Sequence, residues 1–180
     1  MLKITIPAGE LWDEKNEEII SIKEQTLQLE HSLVSISKWE SKWNKAFLKN
    51  NQKSYEEIID YIKCMTLTAN VDSNVYSMLT QENINEINKY IEAPMTATCI
   101  NEINQPKGNK EVQTAEVIYY NMIALGIPFE CQKWHLNRLL TLIKVCDIKN
   151  RPPKKMGRKE TISKYAALNA PRRNQLHSKG

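Results

Sequence analysis

Apolar and polar positions alternate with a period of two at the start of the chain and recur with a helical period from residue 32 onward. In "KITI" (3–6), "EEIISIK" (17–23) and "TLQLEHS" (26–32) every second residue is apolar, with Leu27 and Leu29 on one face, as half-buried strands require. Pro7-Ala8-Gly9 interrupts the first run, and the acidic turn Asp13-Glu14-Lys15-Asn16 suits a hairpin tip. The pattern predicts a small N-terminal antiparallel sheet within residues 1–31.

Beyond it, Ile36, Trp39, Trp43, Ala46 and Phe47 recur at helical spacing. Ser54 and Glu57 form the two ends of a capping box, ahead of an apolar stripe of Tyr55, Ile58, Ile59, Ile62 and Met65. Asp72 is predicted to cap a short helix over 75–79, and Thr80 another that carries Ile84, Ile87 and Ile91 and ends at Pro94. "MTATCINEI" (95–103) reads as extended, and "NQPKGNK" (104–110) as a loop. A further helix should start near Thr114, carry Val117, Ile118, Met122 and Leu125, and stop at Gly126. Pro128 then opens a single helix over 129–149, which Pro152-Pro153 ends.

The fold class expected is therefore α+β: the sheet segment (1–31), a mainly α-helical body (32–150) that forms one compact domain with it, and a basic, partly helical tail (151–180). With 41% apolar residues and only five glycines among 180 residues, the chain suits one modest helical core better than a many-stranded barrel. The tail has helix formers around residues 165–168 but few large apolar side chains, so it is expected to be mobile or to be ordered by a partner.

Charge divides along the chain. The overall balance is +4. From Lys149 to the end there are ten Lys/Arg against one acid, Glu160, which leaves fifteen basic residues against twenty acids in the remainder. An acidic body with a basic tail points to an acidic partner for the tail, or to its docking on another copy. Four cysteines without a CxxC pair suggest free thiols in a reducing compartment. No apolar run is long enough for a signal peptide or a membrane span, so a soluble cytoplasmic protein without membrane contact is expected.

The densest stretch is "IPFECQKWHLNRLLTLIKVC" (127–146). Cys131 and His135, four residues apart, are the one Cys/His pair with a ligand-compatible spacing. A structural zinc ion needs four ligands and a catalytic one usually three. Cys146 lies eleven residues further on, roughly 16 Å along a helix, and Cys64, Cys99, His31 and His177 belong to no paired motif. A nucleophilic Cys131 would gain from the first turn of a helix, but no nucleophile motif or glycine-rich oxyanion loop accompanies it. The same helix would gather Leu136, Leu139, Leu140, Ile143 and Cys146 on a buried face, with His135 at its edge. No catalytic, metal or cofactor residues are assigned.

Trp134 and Arg138 would stack as an i, i+4 pair. Such a surface serves RNA bases, serves a protein partner, or is simply packed under the sheet. The carboxylates Glu56, Glu57 and Asp60 lie on a solvated helix face, and phosphate-loop motifs are lacking. The basic tail has no interleaved aromatics along the chain, which makes a nucleic-acid partner unlikely in this reading and any such contact phosphate-dominated.

The blocks "ITIPAGELWDE", "LQLEHSLVSISKWESKW", "EAPMTAT", "PFECQKWHLNRLLTLIKVCDIKNRPPKKM" and "ALNAPRRNQLHSKG" resemble a family encoded by tailed bacteriophages whose members are commonly labelled tail assembly chaperones. The resemblance covers nearly the whole chain. It implies a non-enzymatic role without cofactors: binding the long helical tape-measure protein in the host cytoplasm, promoting tail-tube assembly around it, and leaving before the virion is complete. Partners implied are the tape-measure and tail-tube proteins, with self-association as a further possibility. Contact residues expected from the residues themselves are Trp134, Arg138, Lys154, Lys155, Arg172 and Arg173. Two other readings stand beside it: a nucleic-acid-binding phage protein that uses the basic tail, and a structural head–tail component of the virion.

Overall fold

The computed structural model describes residues 1–13, 17–49, 52–100, 112–151 and 157–176. Four five-residue strands open the chain: β1 (Leu2–Ile6), β2 (Gly9–Asp13), β3 (Glu18–Ile22) and β4 (Gln25–Leu29). β1 pairs antiparallel with β4, setting Ile4 opposite Leu27, and β2 pairs antiparallel with β3, setting Trp12 opposite Ile19. The outer ladder follows the sequence alternation: Ile4, Ile6, Leu27 and Leu29 are buried, while Lys3, Thr5 and Gln28 face out. The inner hairpin leaves Trp12 and Ile19 exposed.

A mainly helical body follows, as the α+β reading expects. α1 (Leu33–Trp43) starts at Ser32, whose Oγ accepts the Ser35 N–H at 3.3 Å. It stops earlier than the apolar spacing implies. Asn44 takes the left-handed conformation (φ 52°) and returns its N–H to the Glu40 carbonyl, so Ala46 and Phe47 lie beyond the helix. Asparagine is among the few residues that adopt this conformation readily. The Glu40 carboxylate, buried at 7% exposure, then binds the Phe47 N–H with one oxygen and the Ala115 N–H with the other, both at 2.7 Å.

α2 (Tyr55–Met65) carries the expected capping box. The Ser54 N–H donates to the Glu57 carboxylate at 2.8 Å and the Glu57 N–H to Ser54 Oγ at 3.2 Å. α1 is fastened to α2 by indole donors: Trp39 Nε1 to the Glu57 carbonyl and Trp43 Nε1 to the Asp60 carboxylate, both at 2.9 Å. Lys42–Asp60 and Lys45–Glu57 ion pairs accompany them.

The short helix expected over 75–79 is a 3₁₀ turn, Ser73–Met78, capped by Asp72. α3 (Gln81–Glu92) begins at the Thr80 cap as predicted. Residues 94–100 form no regular element, so no strand appears there, and the loop 104–110 lies outside the described residues.

α4 (Ala115–Ala124) runs from the Thr114 cap to a paired stop at Gly126 (φ 65°). There the Ile127 N–H reaches the Met122 carbonyl at 2.8 Å and the Gly126 N–H reaches Ile123 at 3.1 Å, the two bonds of a Schellman motif.

The single helix expected over 129–149 is broken. Phe129–Lys133 is a 3₁₀ turn, Trp134 is extended, and α5 (Leu136–Asn150) starts afresh. The break has a tertiary cause. His135 bridges to Ser32 and the Leu136 N–H bonds the His31 carbonyl at 2.7 Å, so the link between β4 and α1 captures backbone groups that a continuous helix would use itself. Pro152-Pro153, the predicted stop, lies outside the described residues.

The chain divides into two units, Met1–Asp147 and Ile148–Gly180. The core of the first is one cluster that joins Ile4, Leu27 and Leu29 of the sheet to Leu33, Ile36 and Trp39 of α1. Ile62 and Met65 of α2, Ile87 of α3, Ile118 and Met122 of α4 and Leu139 of α5 complete it. In the second, the tail forms α6 (Arg158–Leu176), whose Ile162, Tyr165, Leu168 and Leu176 are all exposed.

Candidate functional site

The apolar stripes of α2 and α3 do not close completely on one another. Ile58 and Ile62 from α2, Ile84, Ile87 and Ile91 from α3, and Phe47 from the preceding loop line a groove of about 340 Å³. Ile58, Ile84, Ile91 and Phe47 are only half-buried, and Asn88 at the opening is exposed. Lys53 stands over the Phe47 ring with its ammonium 4.4 Å from the centroid. Burial lowers its pKa, and the Glu57 charge partly opposes that shift. The groove thus has aliphatic walls, an aromatic end and one cation. It lacks the convergent polar groups that orient a small substrate.

Tyr61 connects this groove to a buried histidine pair. Its ring lies 4.0 Å from that of Phe47, and its hydroxyl hydrogen-bonds His31 Nδ1. His31 and His135 meet edge to face at 5.1 Å between centroids. The Asn137 N–H donates to His135 Nδ1 at 3.3 Å, which leaves Nε2 to donate to the Tyr90 carbonyl at 3.0 Å. The network therefore sets the neutral Nε2–H tautomer. Burial, then the neighbouring His135, pulls the His31 pKa down to about 3. Burial also lowers that of His135, against the hydrogen bond to Tyr90. With 2% and 6% of their surfaces exposed, the two imidazoles are placed to pack and not to reach a solvent-borne substrate.

Cys131 and His135, the candidate ligand pair, do not share a helix. Cys131 sits buried in the 3₁₀ turn, and α5 begins only at Leu136, so no α-helix N-terminus supports a thiolate there. His135 is instead engaged by His31, Tyr90 and Asn137. Among the described residues no group of three or more His, Cys, Asp or Glu side chains is placed to hold a metal ion. All four cysteines are free.

The predicted contact residues are distributed unevenly. The Arg138 guanidinium lies over the Trp134 ring at 4.1 Å, as expected, although Trp134 precedes α5 instead of sharing a helix with Arg138. Arg138 is exposed and Trp134 half-buried. Arg172 and Arg173 are exposed on α6, and Lys154 and Lys155 lie outside the described residues.

The two apolar stripes that line the groove are evident in the sequence, but the space left between them is not. The sequence carries no signal for the meeting of His31 and His135, which are 104 positions apart and are brought together by the Ser32–His135 bridge and the Leu136 N–H bond to the His31 carbonyl.

Among the described residues no helix is long and apolar enough to cross a membrane. No protein-family model, curated protein or solved structure matches the chain.

Proposed function

We propose that this chain is a bacteriophage tail assembly chaperone, a non-enzymatic protein that binds an apolar helical stretch of the tape-measure protein and keeps it soluble while tail-tube subunits assemble around it. The observation that carries the reading is the open aliphatic groove between α2 and α3. An α-helix with its side chains is about 10–12 Å across, so a groove of this size accepts the projecting side chains of one helix face and not a whole helix. Anchors at i, i+3, i+4 and i+7 of an amphipathic partner suit such a surface. The family resemblance of the sequence supports the tape-measure protein as the partner, and the groove supports a helix face as what is bound.

The stacked Trp134–Arg138 pair is a second contact point in this reading, since tryptophan and arginine concentrate binding energy at interfaces. Action in the host cytoplasm and release before virion completion belong to the same proposal. An affinity-tagged chain expressed with the tape-measure protein should retain it on the column, and mass spectrometry of purified virions should not find the chain. Stoichiometric presence in virions would instead establish a structural component.

A further inference from the structure

α6 does not sort its polar and apolar side chains onto opposite faces, but an arc of about 140° on it carries no Lys or Arg. At about 100° per residue, Arg158, Lys159, Lys164, Arg172 and Arg173 all fall within one arc of about 220°. Ile162, Tyr165, Leu168 and Leu176 fall in the same arc, interleaved with the cations. Ser163, Ala167, Ala170, Pro171 and Asn174 occupy the opposite arc. The five cations are exposed, and none is in an ion pair with a described side chain.

We infer that α6 is a nucleic-acid-binding helix that lays this arc against the phosphates of a DNA duplex. Its nineteen residues extend about 28 Å, with cations in the first turn, near the middle and in the last turn. That arrangement follows a line of phosphates, and a single helix fits a major groove about 12 Å wide. Tyr165, set among the cations, offers a flat ring to sugar or base. In sequence the tail seemed to lack interleaved aromatics because the interleaving occurs around the helix and not along the chain.

Charge complementarity favours a polyanion over the other partners of a basic helix. A membrane-surface helix separates its apolar face from its cations, whereas Arg158 lies in line with Leu176, and Arg172 lies between Tyr165 and Leu168. A helix that enters a protein groove keeps an unbroken apolar stripe; here the stripe begun by Ile162 and Tyr165 passes into Asn169, Arg172 and Arg173. The basic run also extends upstream in sequence through Lys149, Arg151, Lys154 and Lys155. The inference does not depend on the tape-measure reading.

The test is fluorescence anisotropy of a fluorescein-labelled 24-base-pair mixed-sequence DNA duplex titrated with the full chain between about 50 and 200 mM salt. Phosphate-driven binding gives a log–log salt slope of about −0.9 per phosphate, so five helix contacts predict a slope of about −4 to −5 and a loss of affinity of several hundredfold across that range. The double variant R172A/R173A should reduce the slope by about two units. The double variant S163K/K164S keeps the net charge but moves one cation to the opposite arc, and should bind like K164S alone. No binding at about 50 mM salt, or full binding by S163K/K164S, would overturn the inference. So would tight binding to phosphatidylserine-containing vesicles without binding to the duplex, which would make α6 a membrane-surface helix.

Discussion

Acidification from pH 7 to pH 5 should destabilise the folded chain by about 2 kcal/mol through His31 alone. His31 is enclosed by Tyr61, Phe47 and the second imidazole, His135. Beyond them lie Tyr90, its hydrogen-bonded Glu30, and the N-terminal amine paired with Glu30. A proton on His31 would be held without solvent and beside another histidine, which is why its pKa falls from an ordinary 6.5 to about 3. The unfolded chain takes up that proton below pH 6.5 while the folded chain refuses it until about pH 3. The contribution is therefore complete above pH 6.5 and is lost as pH falls through that window. Each pH unit inside the window is worth about 1.4 kcal/mol, and the unit and a half between 6.5 and 5 gives the figure above. His135 adds in the same direction. Urea unfolding followed by tryptophan fluorescence at half-unit pH steps measures this, because Trp39 packs on Phe47 beside the pair. His31→Gln should be less stable at pH 7, having disturbed the Tyr61 contact, but its stability should change with pH less steeply by about one proton. Parallel profiles for the two proteins would refute the assignment.

Two other perturbations probe how the body is held together. Glu40→Ala removes the carboxylate shared by the Phe47 and Ala115 amides; it should lower stability by about 3 kcal/mol, since charge-assisted bonds are each worth roughly 1.5–3 kcal/mol, and Glu40→Gln should lower it less. Denaturant midpoints read both. Gly126→Ala adds a Cβ that meets nothing within 4 Å but must adopt φ 65°; the loss expected is the conformational one, about 1–2 kcal/mol, and a neutral result in thermal unfolding would contradict the Schellman assignment.

Local chemistry was legible in the sequence wherever a side chain acts on its own backbone. Ser54 with Glu57, Asp72, Thr80, Thr114 and Gly126 all mark element ends where they were expected, because a cap or a left-handed stop is decided within four residues. Most of the failures originate in long-range contacts. Apolar periodicity runs on through Ala46 and Phe47, but the left-handed Asn44 turns the chain locally, and Glu40, which also binds the distant Ala115 amide, anchors the turn. Periodicity also runs through Trp134 and His135, where the link between β4 and α1 intervenes with the His31 carbonyl and the Ser32 bridge. The groove shows the same limit: Ile58, Ile62, Ile84, Ile87 and Ile91 are evident as buried-type positions, but the space left between their helices is a property of how the helices meet. On α6 the limit is reversed: the charge excess is plain along the chain, whereas the arc it leaves uncharged emerges only on the helix.

The central claim is that the α2–α3 groove holds an apolar helix face of the tape-measure protein. Its most direct test is the fraction of tape-measure protein that stays soluble when co-expressed with the wild-type chain, with Ile84→Glu or with Asn88→Arg. Ile84 is half-buried on the groove wall and Asn88 exposed at its opening, so the second variant changes the groove without touching the core. Wild type should keep the tape-measure protein in the soluble fraction and both variants should lose most of it. An insoluble tape-measure protein with the wild-type chain, or equal rescue by all three, would contradict the account.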